Sequence, residues 1–332
     1  MNRFGYQRNL SFVLHNRRTN GHLVYASITE NSPGKQFLKP LNATSGNYTK
    51  YEYDMITVHI RYNRQAMDSF MRPSTRYITI LRDPGTQFES AFVHFQFDDA
   101  FPLEIKNKLK SAKTDDRLRE WFRNSTVYLQ NLKEKRWEGK KGLRYFYAQN
   151  NQIFDLGLDV QFHTNQSLVR EYISRLDTQL DMVLITEYFE ESLLVMKKQF
   201  CWQMEDILFL SKNQRSDKAK NYSVPESLRH QMREWNSVDN QLYQHFNSTL
   251  WRKVDDYGEN FTTDLQEFRQ TLKEIFQNCT NGVYYRGQGH YFQNVNFKPA
   301  KNGSGLCHLI AEHKRSLMKK VRKRQAHNGI NA

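Results

Sequence analysis

The chain has 332 residues, a formal net charge of +14, 38% hydrophobic residues and 14% aromatic residues. That is enough apolar material for one large α/β domain or two small ones, and the positive excess invites an anionic partner. No apolar run approaches a membrane span in length. No RNA-recognition or zinc-finger pattern supports nucleic-acid binding.

Taken in order, Leu10–His15 (LSFVLH) reads as a strand. A polar region rich in Gly, Pro and Asn follows from Asn16 to Tyr51. Within it Ser32-Pro33-Gly34-Lys35 is not a phosphate loop, because it lacks the first glycine and the hydroxyl residue after Lys35. Asp54–Ile60 (DMITVHI) reads as a second buried strand, with His59 at its end and Arg61 just beyond. Arg64–Phe70 is a short predicted helix that Pro73 stops.

Tyr77–Phe92 (YITILRDPGTQFESAF) is the most informative stretch. Its branched apolar start predicts a strand ending at Arg82. Asp83-Pro84-Gly85 breaks the strand. Thr86 and Glu89 stand at capping-box spacing and predict a helix start. A strand, a tight turn and a helix N-terminus together make an anion site, to which Arg82 adds a fork of donors and Ser90 a hydroxyl.

Helices are then predicted at Leu103–Ala112, Asp115–Arg123, Val127–Lys135 and Ser167–Leu176. Between the last two lies a compact apolar and acidic turn, Gln152–Asp159 (QIFDLGLD). Met182–Thr186 is a strong third strand. An acidic turn at Glu187 follows and opens a helix predicted to reach about Leu210. Ser211–Val224 reads as an exposed linker and Pro225 as a helix start. Helical pattern continues through Phe276, Cys279–Ser304 reads as loop, and Gly305–Arg324 as one basic helix. Lys314, Arg315, Lys319, Lys320, Arg322, Lys323 and Arg324 fit a solvated helix end. Strands alternating with helices predict a parallel sheet covered by helices, with ligands beyond the C-terminal strand ends, where His59 and Arg82 stand.

Three cysteines are present, with no CxxC pair and no cluster suggesting zinc. Cys279 and Cys307 either bridge in an oxidising compartment or remain thiols, with Cys201 on a predicted helix. Asn9, Asn42, Asn47, Asn124, Asn165, Asn221, Asn247, Asn260, Asn278 and Asn302 each begin an N-x-S/T sequon, which favours a secretory lumen.

The Arg82-to-Ser90 spacing resembles the 3′-phosphate site of sulfotransferases that use 3′-phosphoadenosine 5′-phosphosulfate (PAPS). ITILRDPGTQFESAF, together with NQIFDLGLD, DMVLITEYFEESLLVMKKQFCW and QLYQHFNSTLW, resembles the galactose-3-O-sulfotransferases, the family that includes galactosylceramide sulfotransferase. The resemblance runs along nearly all of the chain. It implies a P-loop-kinase-like α/β fold, PAPS as co-substrate without a metal, and transfer to the 3-hydroxyl of a terminal galactose on a glycolipid or glycan. It also implies a Golgi membrane enzyme with a luminal domain, here residues 1–325 with a tail at 326–332. The family's 5′-phosphosulfate loop, of the KTGSST type, and its membrane anchor are expected upstream of Met1.

The same resemblance assigns Arg82 and Ser90 to the 3′-phosphate. It assigns His59 to the base that takes the acceptor hydroxyl's proton. Arg61 contacts sulfate or caps the sheet edge. Asp155 and Asp159 bind sugar hydroxyls or fix their turn. Glu187 faces the acceptor or caps its helix. Each of Trp121, Trp137, Trp202, Trp235 and Trp251 is either a sugar-stacking surface or core. The competing reading is a binding remnant of the family that does not catalyse.

Overall fold

The computed structural model describes residues 1–15, 37–41, 52–134, 144–211, 224–286, 294–301 and 303–328. The readings made at Ser32–Lys35, at Trp137, at Asn42, Asn47, Asn221 and Asn302, and over most of Ser211–Val224 lie outside those residues.

The chain is a mixed α/β protein in which helices dominate. Strand β1 (Ile78–Leu81) pairs in parallel with β2 (Met182–Ile185), in the register Ile78↔Met182 to Leu81↔Ile185. β2 is the continuous apolar run expected of a buried parallel strand, whereas β1 carries Thr79 and buries only Leu81. β2 is buried throughout, while Ile80 of β1 is 49% exposed. Among the described residues β1 pairs with β2 alone.

Two expected strands form only single bridges. Phe12 bridges Met55 and Tyr53 bridges Met71, both in parallel. Asp54–Ile60 is therefore an extended segment, anchored at Tyr53 and Met55 and irregular at His59.

Helix α1 (Pro84–Phe95) follows β1 directly. Its cap differs from the expected one. Asp83 is the N-cap and accepts from the Thr86 N–H at 3.1 Å, with Pro84 at the first helical position. Pro84 needs no N–H partner there, so the Asp-Pro start outcompetes a Thr86 cap. Glu89 is instead 5% exposed within the helix.

The five-residue helix α2 (Asn151–Asp155) opens the FDLGLD turn. Gly157 closes it at φ +105°, where a Cβ would also lie 2.8 Å from the Tyr62 carbonyl oxygen. Only glycine meets both demands.

The helix after β2, α3 (Phe189–Gln199), stops well short of Leu210. Cys201 takes a left-handed conformation at φ 52° just beyond it and is exposed rather than helical. Helices α4 (Glu226–Trp235), α5 (Ser237–Asp255) and α6 (Phe261–Cys279) follow. Pro225 caps α4 rather than entering it. The expected loop after Cys279 contains an antiparallel hairpin, β3 (Thr280–Arg286) with β4 (Asn294–Pro299). The final basic segment is two helices, Gly305–Ala311 and α7 (Lys314–Asn328).

The main core gathers β1, β2 and the inner faces of α3, α5 and α6, including Leu81, Ile185, Leu194, Leu242 and Phe268. A second, aromatic core lies under α1, with Phe88, Phe92, Phe97 and Trp121 fully buried. The C-terminal helix is not merely solvated. Gln325, 1% exposed, accepts from the Phe12 N–H at 3.0 Å and donates to the Phe12 carbonyl at 2.8 Å. Arg324 donates to the Tyr6 carbonyl and Arg322 to that of His15. Cys279 and Cys307 are joined as a disulfide.

Candidate active site

The C-terminal end of β1 delivers Arg82 to the start of α1. Its Nε–H donates to Thr86 Oγ1 at 2.9 Å. Thr86 and Ser90 are four residues apart, so they lie one above the other on a single face of α1. Arg82, Thr86 and Ser90 thus form one polar row, with Thr86 as a member that the sequence pattern assigns to capping.

The helix N-terminus itself is not the anion site. Asp83 caps it, and Arg233 Nε donates to Asp83 Oδ2 at 2.8 Å while its Nη1 reaches Glu226 at 2.6 Å. A Cβ at position 85 would meet Asp83 Oδ1 at 2.9 Å and the Arg229 carbonyl oxygen at 3.0 Å. α4 therefore covers that end of α1, and Gly85 permits the close approach. Two carboxylates stand there as well, since Glu187 accepts from the Asp83 N–H at 3.1 Å. Glu187 also meets Thr86 Oγ1 at 3.4 Å and the Tyr243 hydroxyl at 3.3 Å. Burial first, and then the Glu187 charge, hold the Tyr243 phenol protonated by pushing its pKa up.

His59, Arg61, Gln152 and Asp155 line an open cleft of about 1410 Å³ that also runs along β1. His94, one turn beyond Ser90, lines it too, so the polar row on α1 leads toward the cleft. Arg82, Ser90, Asp159 and Glu187 lie outside its lining. His59 is exposed.

Arg61 faces the FDLGLD turn rather than open space. Its Nε–H donates to the Phe154 carbonyl at 2.8 Å, its Nη1 pairs with Asp159 at 2.8 Å, and its guanidinium carbon lies 4.3 Å from the centre of the Phe154 ring. Its Nη2 is buried without a hydrogen-bond partner among the described residues. Asp159 is thereby engaged as the counter-ion.

Asp155 differs from Asp159. Its side chain lines the cleft, and desolvation by the surrounding protein pushes its pKa from 3.8 to about 6. The Arg61 charge opposes that rise. Asp155 is therefore the one acidic residue of the turn presented to a cleft-bound ligand. His163, buried behind the same turn, has its pKa lowered chiefly by desolvation.

Of the tryptophans, Trp121 is core at 0% exposure. Trp202 lines the cleft and stacks on Phe4 at 4.3 Å. Trp251 is 36% exposed against Tyr188.

The family model for galactose-3-O-sulfotransferase matches residues 1–303, and the chain belongs to that family. It is 28% identical to galactosylceramide sulfotransferase of Mus musculus over 288 residues, 84% of this chain and 60% of the relative. It is 30% identical to the Homo sapiens galactosylceramide sulfotransferase over 69% of this chain and 51% of that relative. Against galactose-3-O-sulfotransferase 2 of Mus musculus it is 26% identical, over 77% and 60% respectively. The chain thus spans about half to three-fifths of the length of these relatives. No solved structure matches it.

Proposed function

We propose that this chain carries the 3′-phosphate grip and the acceptor side of a PAPS-dependent galactose 3-O-sulfotransferase. The observation that carries the reading is the row Arg82–Thr86–Ser90 leading toward a cleft lined by His59 and Asp155, in a chain of this family. Residues 1–325 act as one domain in this reading, and the parallel β1–β2 pair is the centre of a P-loop-kinase-like sheet. PAPS is the co-substrate, and no metal is required.

The guanidinium of Arg82, whose Nε–H donates to Thr86, meets a 3′-phosphate, and Ser90 adds a hydroxyl. Asp155 accepts from a galactose hydroxyl in the cleft. Arg61 fixes the turn that presents it. A sugar hydroxyl is a weak nucleophile, so His59 takes its proton as the oxygen bonds to sulfur. The bond from sulfur to the bridging phosphate oxygen breaks, and 3′-phosphoadenosine 5′-phosphate (PAP) leaves with the electron pair. In-line positioning supplies much of the acceleration.

The acceptor is a galactose-terminated glycolipid or glycan, as the names of the relatives suggest. A Golgi lumen fits the Cys279–Cys307 disulfide. It also fits the exposed sequon residues Asn9, Asn124, Asn165, Asn260 and Asn278. No helix among the described residues is long and apolar enough to cross a membrane, so the membrane association of this reading belongs to an anchor outside these residues.

The test is transfer of labelled sulfate from PAPS to galactosylceramide, lactosylceramide and N-acetyllactosamine, using the natural polypeptide. His59→Ala should abolish transfer and leave PAP binding intact. Arg82→Ala should weaken PAP binding. Retained turnover in the first variant, or unchanged affinity in the second, removes the corresponding role.

A further inference from the structure

Gln152 does for Arg82 what a neighbouring strand does for a strand residue. The Arg82 N–H donates to Gln152 Oε1 at 2.8 Å, and Gln152 Nε2 donates back to the Arg82 carbonyl at 2.9 Å. The β1–β2 ladder ends one residue earlier, at Leu81↔Ile185. Without Gln152, the peptide groups of Arg82 would leave the sheet with no ladder partner.

Gln152 is itself held firmly. Its backbone N–H donates to Asp239 Oδ2 at 3.0 Å, and that of Ile153 donates to Oδ1 at 2.8 Å. Asp239 is 1% exposed on α5. Asn150 joins the same arrangement, accepting from the N–H groups of Val238 and Asp239 through its Oδ1. The first turn of α2 is therefore clamped to the core by a buried carboxylate.

The other end of the same short helix reaches the acceptor side. The Phe154 carbonyl accepts from Arg61, the Asp155 carbonyl accepts from the Tyr62 N–H at 2.8 Å, and the Asp155 side chain faces the cleft. One helix of five residues thus grips the Arg82 backbone at its start and carries the segment after His59 at its end.

We infer that Gln152 is a positioning residue for the nucleotide's 3′-phosphate: by fixing both backbone groups of Arg82 it sets where that guanidinium stands relative to the cleft. This rests on the donor reading above. A purely structural glutamine is available for contrast in the same chain. Gln325 makes the same two-bond clasp on Phe12, far from Arg82 in the sequence. Loss of either clasp removes two hydrogen bonds to backbone, so both losses cost stability. Only the loss at Gln152 should change discrimination for a 3′-phosphate.

The experiment compares PAP with adenosine 5′-phosphate, which lacks the 3′-phosphate, by calorimetric titration of the unaltered chain, Gln152→Met and Gln325→Met. Methionine keeps the length and volume of glutamine without its amide. Gln152→Met should lower PAP affinity about tenfold and leave adenosine 5′-phosphate within about twofold. Gln325→Met should lower the melting temperature and leave the ratio of the two affinities unchanged. Gln152→Glu retains an acceptor for the Arg82 N–H and should recover part of the loss; it carries the test if the methionine variant does not fold. An unchanged ratio in a folded Gln152 variant, or an equal change in the Gln325 variant, overturns the inference. If the unaltered chain does not itself prefer PAP, the donor reading falls and takes this inference with it.

Discussion

Arg82 Nε–H and Thr86 Oγ1 are joined at 2.9 Å, across the turn where β1 becomes α1. The bond ties the guanidinium to the first turn of the helix. A long, flexible side chain is thereby pre-organised before any ligand arrives.

Thr86→Val should therefore weaken PAP binding about three- to tenfold, the equivalent of one net hydrogen bond. Thr86→Ser should keep most of the affinity, because the hydroxyl remains. Titration calorimetry on the two variants separates the hydroxyl from the methyl. If valine binds PAP as well as threonine does, the guanidinium is not oriented this way.

Arg233 is the partner that makes the Asp83 cap tenable. Asp83 is 8% exposed and accepts from both Thr86 and Arg233. The Asp83 and Glu226 carboxylates raise the pKa of the Arg233 guanidinium. Arg233→Ala would leave a largely buried carboxylate without its cation, at a cost of about 2 kcal/mol. Chemical denaturation should show that loss, and a paired Asp83→Asn change should restore part of it. Simple additivity of the two changes would mean that the pair is not coupled.

Asp155 gives a pH dependence with a definite sign. Its pKa in the folded protein is about 6 against an ordinary 3.8, so the folded state holds its proton where the unfolded chain has already released it. This contribution to stability is present in full below about pH 4 and is lost as pH rises through about 6. Asp155→Asn cannot ionise. Its melting temperature relative to the parent should rise between those pH values and then level off. A pH-independent difference would show that the carboxyl is not desolvated.

The disulfide between Cys279 and Cys307 closes a separation of 28 residues, with both cysteines buried. Chain-entropy arguments put such a link at roughly 3 kcal/mol. Melting after reduction under mild denaturant, or of a Cys279→Ala/Cys307→Ala variant, should show a loss of that order. The α6–β3 junction should be the first region to gain hydrogen exchange.

The elements legible in the sequence were those whose signal is local. MVLI is an uninterrupted apolar run and ITIL is broken only by Thr79, and both became strands in one parallel pair. The helices at 103–108, 114–123, 125–134 and 166–179 were likewise visible. LSFVLH and DMITVHI carry similar composition, yet they form one bridge to each other, Phe12↔Met55. Strand character there depended on partners the pattern cannot show. The helix after β2 broke at Cys201 with neither Gly nor Pro to announce it. The hairpin β3–β4 was hidden by Asn and Gly, although Val283–Tyr284 facing Asn296–Phe297 gives it a pairing surface.

For the site, the residue types in RDPGTQFES were readable and their division of labour was not. Asp-Pro signalled the true cap, but Thr86 and Glu89 fit the capping-box template as well. Gln152 carries no local signature: its partners are Arg82, 70 residues earlier, and Asp239, 87 later. Asp155 and Asp159 look equivalent in FDLGLD, and only the fold gives one to Arg61 and the other to the cleft.

The clasp around Arg82 also bears on the order in which this junction assembles during synthesis. Its side-chain partners are Gln152, Glu187 and Arg233, bonded to residues 82 and 83 across separations of 70, 104 and 150 residues. Closing loops of that length costs entropy before the contacts can offset it. Arg82 is made before Gln152, and Gln152 before Glu187 and Arg233, so the frame around this junction is completed in steps. A nascent chain that ends before α4 holds Asp83 without Arg233, so the junction should settle only once α4 has been made. Chaperone occupancy in that interval would then limit yield more than the stability of the finished fold.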